Sequence, residues 1–332
     1  SKVLVVEETE AVIELFTSRG RKDVMGRFTG DIPLEGELTP ERIYEILGRV
    51  FRKCSIKGHD KFQKKGPAPA LDKINLPDRR PTLCPGCSHR AAFFAIKKAF
   101  PKAIFTSDIG CYTLGINLGC VDTVLDMGSG ITMASGFYQA YHQDAVEKPI
   151  IATMGDSTFY HSGTAALING VYNDARYILV ILDNATTAMT GMQPTPGTGI
   201  VADGRKGHSI PLERIVKGCG VDYMKIHDPY DVKGLINLIK EAHRYTLKKK
   251  GGIAVIIARH PCIIAYRGSI KEEAGSIIIT DDCDGCGACI RTFECPALLM
   301  DRNTKRVTVH KTLCCGCGVC VHACPKGAIF AK

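Results

Sequence analysis

The stretch PIIATMGDSTFYHSGTAALINGVYNDARYILVILDN, residues 149–184, decides the fold. It contains two short and almost continuously apolar runs, IIATM and YILVIL, which are separated by a segment of helix length. Strands of this kind are typical of a parallel sheet, because helices cover both of its faces. The stretch therefore predicts a strand–helix–strand unit whose two strands end at the same edge of one sheet.

The same alternation continues on both sides of this unit, from about residue 84 to residue 265. It predicts further strands at KAIFTSD (102–108), TVLDMG (123–128), VDYMKIH (221–227) and GIAVIIARH (252–260), and helices through the 90s and at 129–142, 162–173 and 229–248. We expect an α/β fold with a parallel sheet. Ligands of such sheets bind at the carboxyl ends of the strands.

Four segments are predicted along the chain. Residues 1–51 combine an apolar run at 3–6 with a helix that Thr39 caps, and we interpret them as the end of a preceding α/β domain. Residues 52–83, rich in Lys, Arg and Pro, predict a linker or a strap along the surface. Residues 84–275 form the α/β domain, and residues 276–332 a small cysteine-rich domain. Since Ser1 opens directly on a strand-like run, we expect the chain to be part of a longer polypeptide.

Composition narrows the class of protein. Of 332 residues, 45% are hydrophobic and 23% are charged, which is typical of a folded globular protein and not of a disordered one. No apolar stretch reaches the roughly 18 residues of a membrane span, and the first residues lack the pattern of a signal peptide. We therefore expect neither membrane insertion nor secretion.

The C-terminal cysteines form two similar strings, an internal repeat. In the second string the gaps are two, two and three residues and a proline follows, which is the bacterial ferredoxin run for [4Fe-4S] clusters. The first string repeats this pattern with a last gap of five residues. In such runs the fourth cysteine serves the other cluster. The predicted ligand sets are therefore Cys283, Cys286, Cys289 and Cys324 for one cluster and Cys314, Cys317, Cys320 and Cys295 for the other.

A zinc site is the alternative for these strings, since paired cysteines also bind zinc. Eight cysteines in tandem, with both Cys-Pro endings, favour clusters. Cys315 is then a spare thiol, and Cys54, Cys120 and Cys219 have no partner spacing. The formal charge of +9 would fall to about +3 with three clusters on thiolates, and no basic patch with interleaved aromatic residues is present. We expect no nucleic acid as a partner.

Polar residues follow both strands of the deciding stretch. Asp156 and Asn184 come at the ends of the two strands, so their oxygens should meet at one edge, where they can hold a cation such as Mg²⁺. The pattern GDS(x25)DN resembles the thiamine diphosphate signature, with Ser157 in place of the usual glycine. Earlier in the chain, Gly128, Ser129 and Gly130 stand at a predicted helix start, where free amides favour a phosphate.

Together with CPGCSHR at 84–90, these motifs resemble the indolepyruvate ferredoxin oxidoreductases, at the C-terminal portion of the large (alpha) subunit. These enzymes belong to the thiamine diphosphate-dependent 2-oxo acid:ferredoxin oxidoreductases. The resemblance implies a thiamine diphosphate-binding parallel-sheet domain followed by a small ferredoxin-like α+β domain with two [4Fe-4S] clusters. It also implies that TTAMTG at 186–191 wraps the metal and the diphosphate. Thr186 would offer its carbonyl to Mg²⁺, and Thr190 and Gly191 would lie close to the cofactor.

A third [4Fe-4S] cluster is predicted beside the thiamine. In related enzymes four cysteines in similar contexts hold such a proximal cluster, and the resemblance transfers this role to Cys84, Cys87, Cys111 and Cys262. The alternative is that CPGC binds nothing, Cys111 packs as a small hydrophobic residue and Cys262 ends a strand. His89 and Arg90, which follow CPGC, are candidates to meet a substrate carboxylate or the diphosphate, or to be charges at a helix start exposed to water.

The resemblance implies oxidative decarboxylation of aryl 2-oxo acids, such as indolepyruvate, with coenzyme A as acyl acceptor and ferredoxin as electron acceptor. The implied partners are a smaller (beta) subunit and a pyrimidine-binding domain from the rest of the subunit, in a dimer of heterodimers in the cytoplasm of an anaerobe. The activating glutamate of thiamine enzymes lies on that other domain, and no residue here is assigned to it. The alternatives are the same chemistry on pyruvate or another 2-oxo acid, or an iron–sulfur electron-transfer subunit without thiamine chemistry.

Overall fold

The computed structural model describes residues 2–8, 10–57, 80–267, 275–301 and 303–332. The chain divides into two compact units, Ser1–Arg79 and Arg80–Lys332. Most of the predicted linker, residues 58–79, lies outside the described residues. Each unit has its own core and is described by itself.

The first unit contains a two-stranded parallel pair and two helices: β1 (Val3–Leu4), α1 (Val12–Thr17), β2 (Val24–Met25) and α2 (Pro40–Lys53). Thr39 caps α2 by accepting a hydrogen bond from the Arg42 amide, and Pro40 takes the first helical position, as the sequence predicts. Asp31 is buried and its carboxylate binds the Lys53 ammonium at 2.7 Å.

The second unit is built on a five-stranded parallel sheet. Its strands are β3 (Ile104–Thr106), β4 (Ile150–Gly155), β5 (Ile178–Asp183), β6 (Tyr223–His227) and β7 (Ala254–Arg259), in the order β3-β4-β5-β7-β6. All neighbouring strands are parallel, which confirms the predicted sheet. Every residue of β4 and β5 is buried, which explains why both runs are apolar throughout.

Helices cover both faces of this sheet. They are α3 (Ser88–Ala99), α4 (Ser129–Gln143), α5 (Asp156–Thr158), α6 (Thr164–Tyr172), α7 (Leu212–Gly218) and α8 (Val232–Thr246). One core cluster contains α3 and α8 with alternate residues of the strands, such as Ile151 and Val180. The other contains α4, α6 and α7 with the residues between them, such as Ala152 and Leu179. This alternation is the period of two that places successive side chains on opposite faces of a strand.

The strand predicted at TVLDMG is wrong. Only Thr123 makes a bridge to Thr106, and residues 124–128 are not in a strand. The Asp122 carboxylate accepts a hydrogen bond from the Phe105 amide, and the chain then turns so that Leu125 and Met127 are exposed. Their apolar side chains produced the strand pattern, although they lie at the carboxyl edge of the sheet and not in its core.

The cysteine-rich segment packs within the same second unit. It contains β8 (Ile277–Ile279), α9 (Ala288–Phe293), β9 (Leu298–Met300), β10 (Val307–Val309) and β11 (Ile329–Ala331). The strands form two antiparallel pairs, β8 with β11 and β9 with β10. Phe293 of α9 meets Phe94 of α3 edge to face at 5.5 Å, so the small domain shares a core with the sheet domain.

Candidate functional site

The carboxyl ends of β4 and β5 place the two predicted metal ligands at one cavity of about 110 Å³. Asp156 opens α5 directly after β4, and Asn184 follows β5; both are buried. Gly155 is required here, because an added Cβ would meet the ring of Tyr112 at 2.6 Å. Ser157 occupies a helical position, where glycine is not needed, and its hydroxyl accepts a hydrogen bond from Thr187 at 2.8 Å.

Asp156 is a buried carboxyl group, with 3% of its surface exposed. Burial, and then the neighbouring Asp183, raise its pKa to about 8, and only backbone amides oppose this shift. Among the described residues none forms an ion pair with Asp156, whereas Asp183 binds Arg259 at 2.6 Å. A buried carboxylate needs a compensating positive charge. The donor set at this edge, a carboxylate and amide and carbonyl oxygens, fits a small hard cation such as Mg²⁺.

The loop after Asn184 closes over the cavity. The Thr186 amide donates to Asn184 Oδ1 at 3.2 Å, and the Ala185 carbonyl accepts a hydrogen bond from Tyr266 at 2.9 Å. Thr186 and Thr190 line the cavity, together with Thr187 and Met189 between them. Gly191 has a φ of 119° and lies next to this wall but does not line it. These roles stay predictions.

Gly128, Ser129 and Gly130, the predicted phosphate-binding residues, do not line this cavity, and their role stays a prediction. Gly128, at a φ of 106°, donates its amide to Asp108 Oδ2 at 3.0 Å, and Ser129 Oγ donates to the Asp126 carbonyl at 2.7 Å. Gly130 packs so closely on β4 that a Cβ would meet the Thr153 carbonyl at 2.9 Å. The residue of this segment that lines the cavity is Met127.

Sequence reasoning missed two polar residues at the site. Tyr112 lines the cavity and donates to the buried Asp108, and its hydroxyl lies 2.9 Å from Thr158. Burial raises the pKa of Asp108 to about 6, against hydrogen bonds from Tyr112 and two backbone amides. The available signal was the position of Asp108, which comes just after a buried strand at the same edge as Asp156.

His89 and Arg90 are both buried, so the alternative that they are charges exposed to water at a helix start is wrong. His89 lines the cavity, and its Nε2 lies 3.4 Å from the Asn184 amide nitrogen. Burial lowers the pKa of His89 to about 4, so its ring is neutral at pH 7. Arg90 points to the cysteine-rich domain and donates to the carbonyls of Phe293 and Glu294.

Four cysteines line a second cavity, also of about 110 Å³. They are Cys84, Cys87, Cys111 and Cys262, the set predicted for the proximal cluster. This cavity shares His89, Cys111, Asn184 and Ala188 with the Asp156 cavity. The Cys262 amide also donates to the Asn184 carbonyl at 3.0 Å. The two predicted cofactor sites are therefore contiguous.

The ferredoxin-type cysteines line two more cavities. Cys283, Cys286, Cys289 and Cys324 surround one, and Cys295, Cys314, Cys317 and Cys320 surround the other, together with Cys315. The structure thus groups the cysteines in the crossed sets that the spacing predicts. Burial, followed by Cys295 and Cys314, raises the pKa of Cys320 to about 12, and Cys289 of the other set adds to this effect.

Within the described ranges, no three His, Cys, Asp or Glu side chains are arranged to hold a metal ion. Four thiols surround each of these cavities, and four is the number of cysteine ligands that a [4Fe-4S] cluster has. No helix in the described part of the chain has the length and apolar character needed to cross a membrane.

Comparison with known families agrees with this arrangement. Residues 108–258 match the thiamine pyrophosphate enzyme C-terminal TPP binding domain, and residues 307–330 match the 4Fe-4S binding domain. The chain therefore combines a thiamine pyrophosphate-binding domain with an iron–sulfur domain.

The particular family follows from curated relatives. The chain is 39% identical to "Indolepyruvate oxidoreductase subunit IorA" of Archaeoglobus fulgidus over 339 aligned positions, which are 99% of the chain and 52% of the relative. It is also 39% identical to the protein of the same name in Thermococcus kodakarensis, over 98% of the chain and 52% of the relative. The chain belongs to this IorA family, and it spans about half the length of the relatives it matches.

A solved structure of 2-oxoglutarate:ferredoxin oxidoreductase from Magnetococcus marinus, with 2-oxoglutarate, coenzyme A and succinyl-CoA bound, is also similar. It is 19% identical, with a TM-score of 0.47, and the match covers 66% of this chain and 79% of that one.

Proposed function

We propose that the chain forms the thiamine-binding and iron–sulfur portion of an enzyme that oxidatively decarboxylates indolepyruvate and similar aryl 2-oxo acids. Coenzyme A would take the acyl group, and ferredoxin would take the electrons. One observation carries this proposal: the Asp156 cavity and the four-cysteine cavity share walls at His89, Cys111, Asn184 and Ala188. A site for decarboxylation and a first electron acceptor thereby lie side by side.

Asp156 and Asn184, with the Thr186 carbonyl, would hold Mg²⁺ and through it the diphosphate. When bound, thiamine diphosphate supplies the electron sink for loss of CO₂. The chain's own residues exclude water, because His89, Asp156, Asn184 and Thr186 are all buried. His89 is neutral near pH 7, so it adds no positive charge beside the Mg²⁺ site, and the Tyr112 hydroxyl donates to Asp108.

Cys84, Cys87, Cys111 and Cys262 would hold the proximal [4Fe-4S] cluster. From there electrons would pass to the cluster held by Cys295, Cys314, Cys317 and Cys320. Pro85 and Gly86, which lie between Cys84 and Cys87 in the chain, line the cavity of that ferredoxin-type set. Gly86 has a φ of 72°, and an added Cβ would collide with the Cys315 sulfur. The glycine of CPGC thus lets the backbone between the first two cysteines approach the ferredoxin-type set closely.

The site needs a further domain to be complete. A cavity of about 110 Å³ is smaller than the roughly 300–1,000 Å³ of ordinary ligand sites, so it accepts only part of thiamine diphosphate. Ile109, Met127, Met189, Met192 and Ile264 line the two cavities and are exposed. An exposed apolar rim of this kind is typical of an interaction surface. We propose that the pyrimidine-binding domain, which carries the activating glutamate, covers it.

A beta subunit, a dimer of heterodimers and a reducing cytoplasm belong to the same proposal. They are supported by the IorA relatives, which are named as subunits, and by the oxygen sensitivity expected of clusters on thiolates.

The experiment is an anaerobic assay of the complete enzyme, comparing indolepyruvate and phenylpyruvate with pyruvate and 2-oxoglutarate, with and without coenzyme A. The proposal expects ferredoxin reduction that requires thiamine diphosphate, Mg²⁺ and coenzyme A and is fastest with the aryl acids. Preference for pyruvate would overturn the substrate assignment. Full iron loading without thiamine-dependent turnover would favour an electron-transfer subunit.

A further inference from the structure

Arg90 is a fixed positive charge in the interior of the second unit. It lies in the first turn of α3, and only 1% of its surface is exposed. A guanidinium does not lose its proton in proteins, so the charge persists even when it is buried. Burying a charge without an anionic partner costs much free energy, and the surroundings of Arg90 should therefore contain one.

The hydrogen-bond partners of Arg90 are all neutral. Nη1 donates to the carbonyls of Phe293 at 2.8 Å and Glu294 at 2.6 Å, and Nη2 donates to the Leu83 carbonyl and to the Thr82 hydroxyl. Nε is buried and has no partner among the residues that the structure describes. No carboxylate in those ranges forms an ion pair with Arg90, because the nearby Glu294 side chain binds Arg80 instead.

The hydrogen-bond acceptors of this guanidinium line two predicted cluster cavities. Thr82 and Leu83 line the cavity of the proximal set, and Phe293 lines the cavity of the Cys295-containing set. Cys295, Cys87, Cys84 and the Glu294 carboxylate also act on the Arg90 charge electrostatically. Gly86 of CPGC lines the same cavity as Cys295. Arg90 therefore lies between two predicted cluster sites, and the thiolates and sulfides of loaded clusters are the anions that its neutral carbonyl partners do not supply.

The departure from the ferredoxin spacing builds this contact. The gap before Cys295 has five residues where the second string has three. The longer gap lets α9 run to Phe293 and places Glu294 in the left-handed region at a φ of 51°. The carbonyls of these two residues are the acceptors of Arg90 Nη1. The lengthened loop thus supplies the two carbonyl acceptors for the buried Arg90 side chain of α3.

We propose that Arg90 is a positioning residue for electron transfer, whose buried charge raises the reduction potentials of the proximal cluster and of the Cys295-containing cluster. This inference rests on the proposed function. Each of these clusters gains one negative charge when it accepts an electron, and a nearby cation stabilises the reduced form. The third cluster, in the cavity of Cys283, Cys286, Cys289 and Cys324, has no such neighbour in the contacts of Arg90.

The test is a redox titration of the loaded complete enzyme, followed by electron paramagnetic resonance, on the wild type, Arg90→Gln and Arg90→Lys. Arg90→Gln removes the charge. We expect two midpoint potentials to become more negative by about 59 mV or more, which is a tenfold change in the equilibrium constant of a one-electron reduction. The third should not move. Arg90→Lys keeps the charge, so the midpoint potential of every cluster should differ from the wild-type value by less than about 59 mV. Arg214→Gln, which removes an exposed cation from α7, a helix whose core cluster contains none of the predicted cluster cysteines, is the matched control and should shift none.

Unmoved potentials in Arg90→Gln at full iron content would overturn the inference, as would equal shifts of all clusters. Should Arg90→Gln fail to load its clusters, the neutral variant Arg90→Met takes its place with the same expected shifts, and a tenfold shift in Arg90→Lys contradicts the charge role. The iron content of the wild type shows whether a failure belongs to this inference or to the proposed function. A wild type with about eight irons refutes the proximal cluster, and the inference then requires one of the two remaining potentials to shift.

Discussion

Asp156 makes the metal-free chain less stable than it would be with a neutral residue at this position. Burial raises its pKa from 3.8 to about 8. A carboxyl group with a raised pKa in the folded state contributes most to stability below its unfolded value, and this contribution is lost as the pH rises to about 8. At pH 7 the pH lies about three units above the unfolded-state pKa of 3.8. At 1.36 kcal/mol per unit, the free energy of unfolding is therefore lowered by up to about 4 kcal/mol.

Asp156→Asn should remove this penalty and abolish binding of Mg²⁺ and thiamine diphosphate. The new amide nitrogen is buried without a hydrogen-bond acceptor, which lowers the free energy of unfolding by about 1–3 kcal/mol. The net increase in the free energy of unfolding at pH 7 is therefore on the order of 2 kcal/mol. For a unit of this size we expect the Tm to rise by roughly 5 °C. The assay is thermal unfolding, followed by circular dichroism, of cluster-loaded protein in EDTA at pH 5.5 and pH 8.

Two features distinguish this reasoning from a general surface or packing effect. The difference between variant and wild type should grow by about 3 kcal/mol from pH 5.5 to pH 8, because the penalty increases over that range. Asp183→Asn is the matched control at the same edge. Because Asp183 is already paired with Arg259 at 2.6 Å, this change should destabilise the protein. A lower Tm for Asp156→Asn at pH 8, or a difference that does not depend on pH, would refute the account.

Three further predictions concern other parts of the chain. Cys262→Ser should lower the iron content from about twelve to about eight per chain, while thiamine diphosphate still binds. The control is Cys219→Ser, which changes a buried thiol outside the predicted sets and should keep about twelve irons. An unchanged iron content in both variants would contradict the proximal cluster. Gly86→Ala should lower the Tm because of its positive φ and the Cys315 contact, whereas Gly136→Ala, in helix α4 with open space around it, should be neutral or stabilising; equal Tm values would oppose this. Although burial opposes it, hydrogen bonds from Lys53 and Thr29 hold the pKa of Asp31 below its usual value; Asp31→Asn should therefore destabilise the first unit at pH 7, and in acid titrations the gap to wild type should close below about pH 4.

The sheet and the ligand groups were predictable from sequence because local patterns determine them. The buried runs ending at Gly155 and Asp183 carry the unbroken apolar pattern of parallel strands, and the tandem cysteine spacing alone indicates the crossed grouping seen around the two ferredoxin-type cavities. The proximal set is different. Its four cysteines come from three separate regions of the chain, so the family resemblance was needed to group them.

Other features depend on tertiary contacts that no local pattern records. Leu125 and Met127 look like strand residues, but both are exposed, and Met127 lines the site. Arg90 looks like a charge at a helix start, and only the fold shows that the lengthened loop before Cys295 binds it through two carbonyls. Asp108 and Tyr112 form a buried pair across a turn that the sequence does not distinguish from an ordinary loop.

The central claim is that a thiamine site and a first iron–sulfur cluster are neighbours within this chain. The most direct measurement is an anaerobic structure of the complete enzyme loaded with thiamine diphosphate, with iron located by its anomalous scattering. The account predicts three iron clusters per chain, one of them bounded by Cys84, Cys87, Cys111 and Cys262 and next to a diphosphate at Asp156 and Asn184. Iron confined to the two ferredoxin-type cavities, or a diphosphate bound elsewhere, would contradict it.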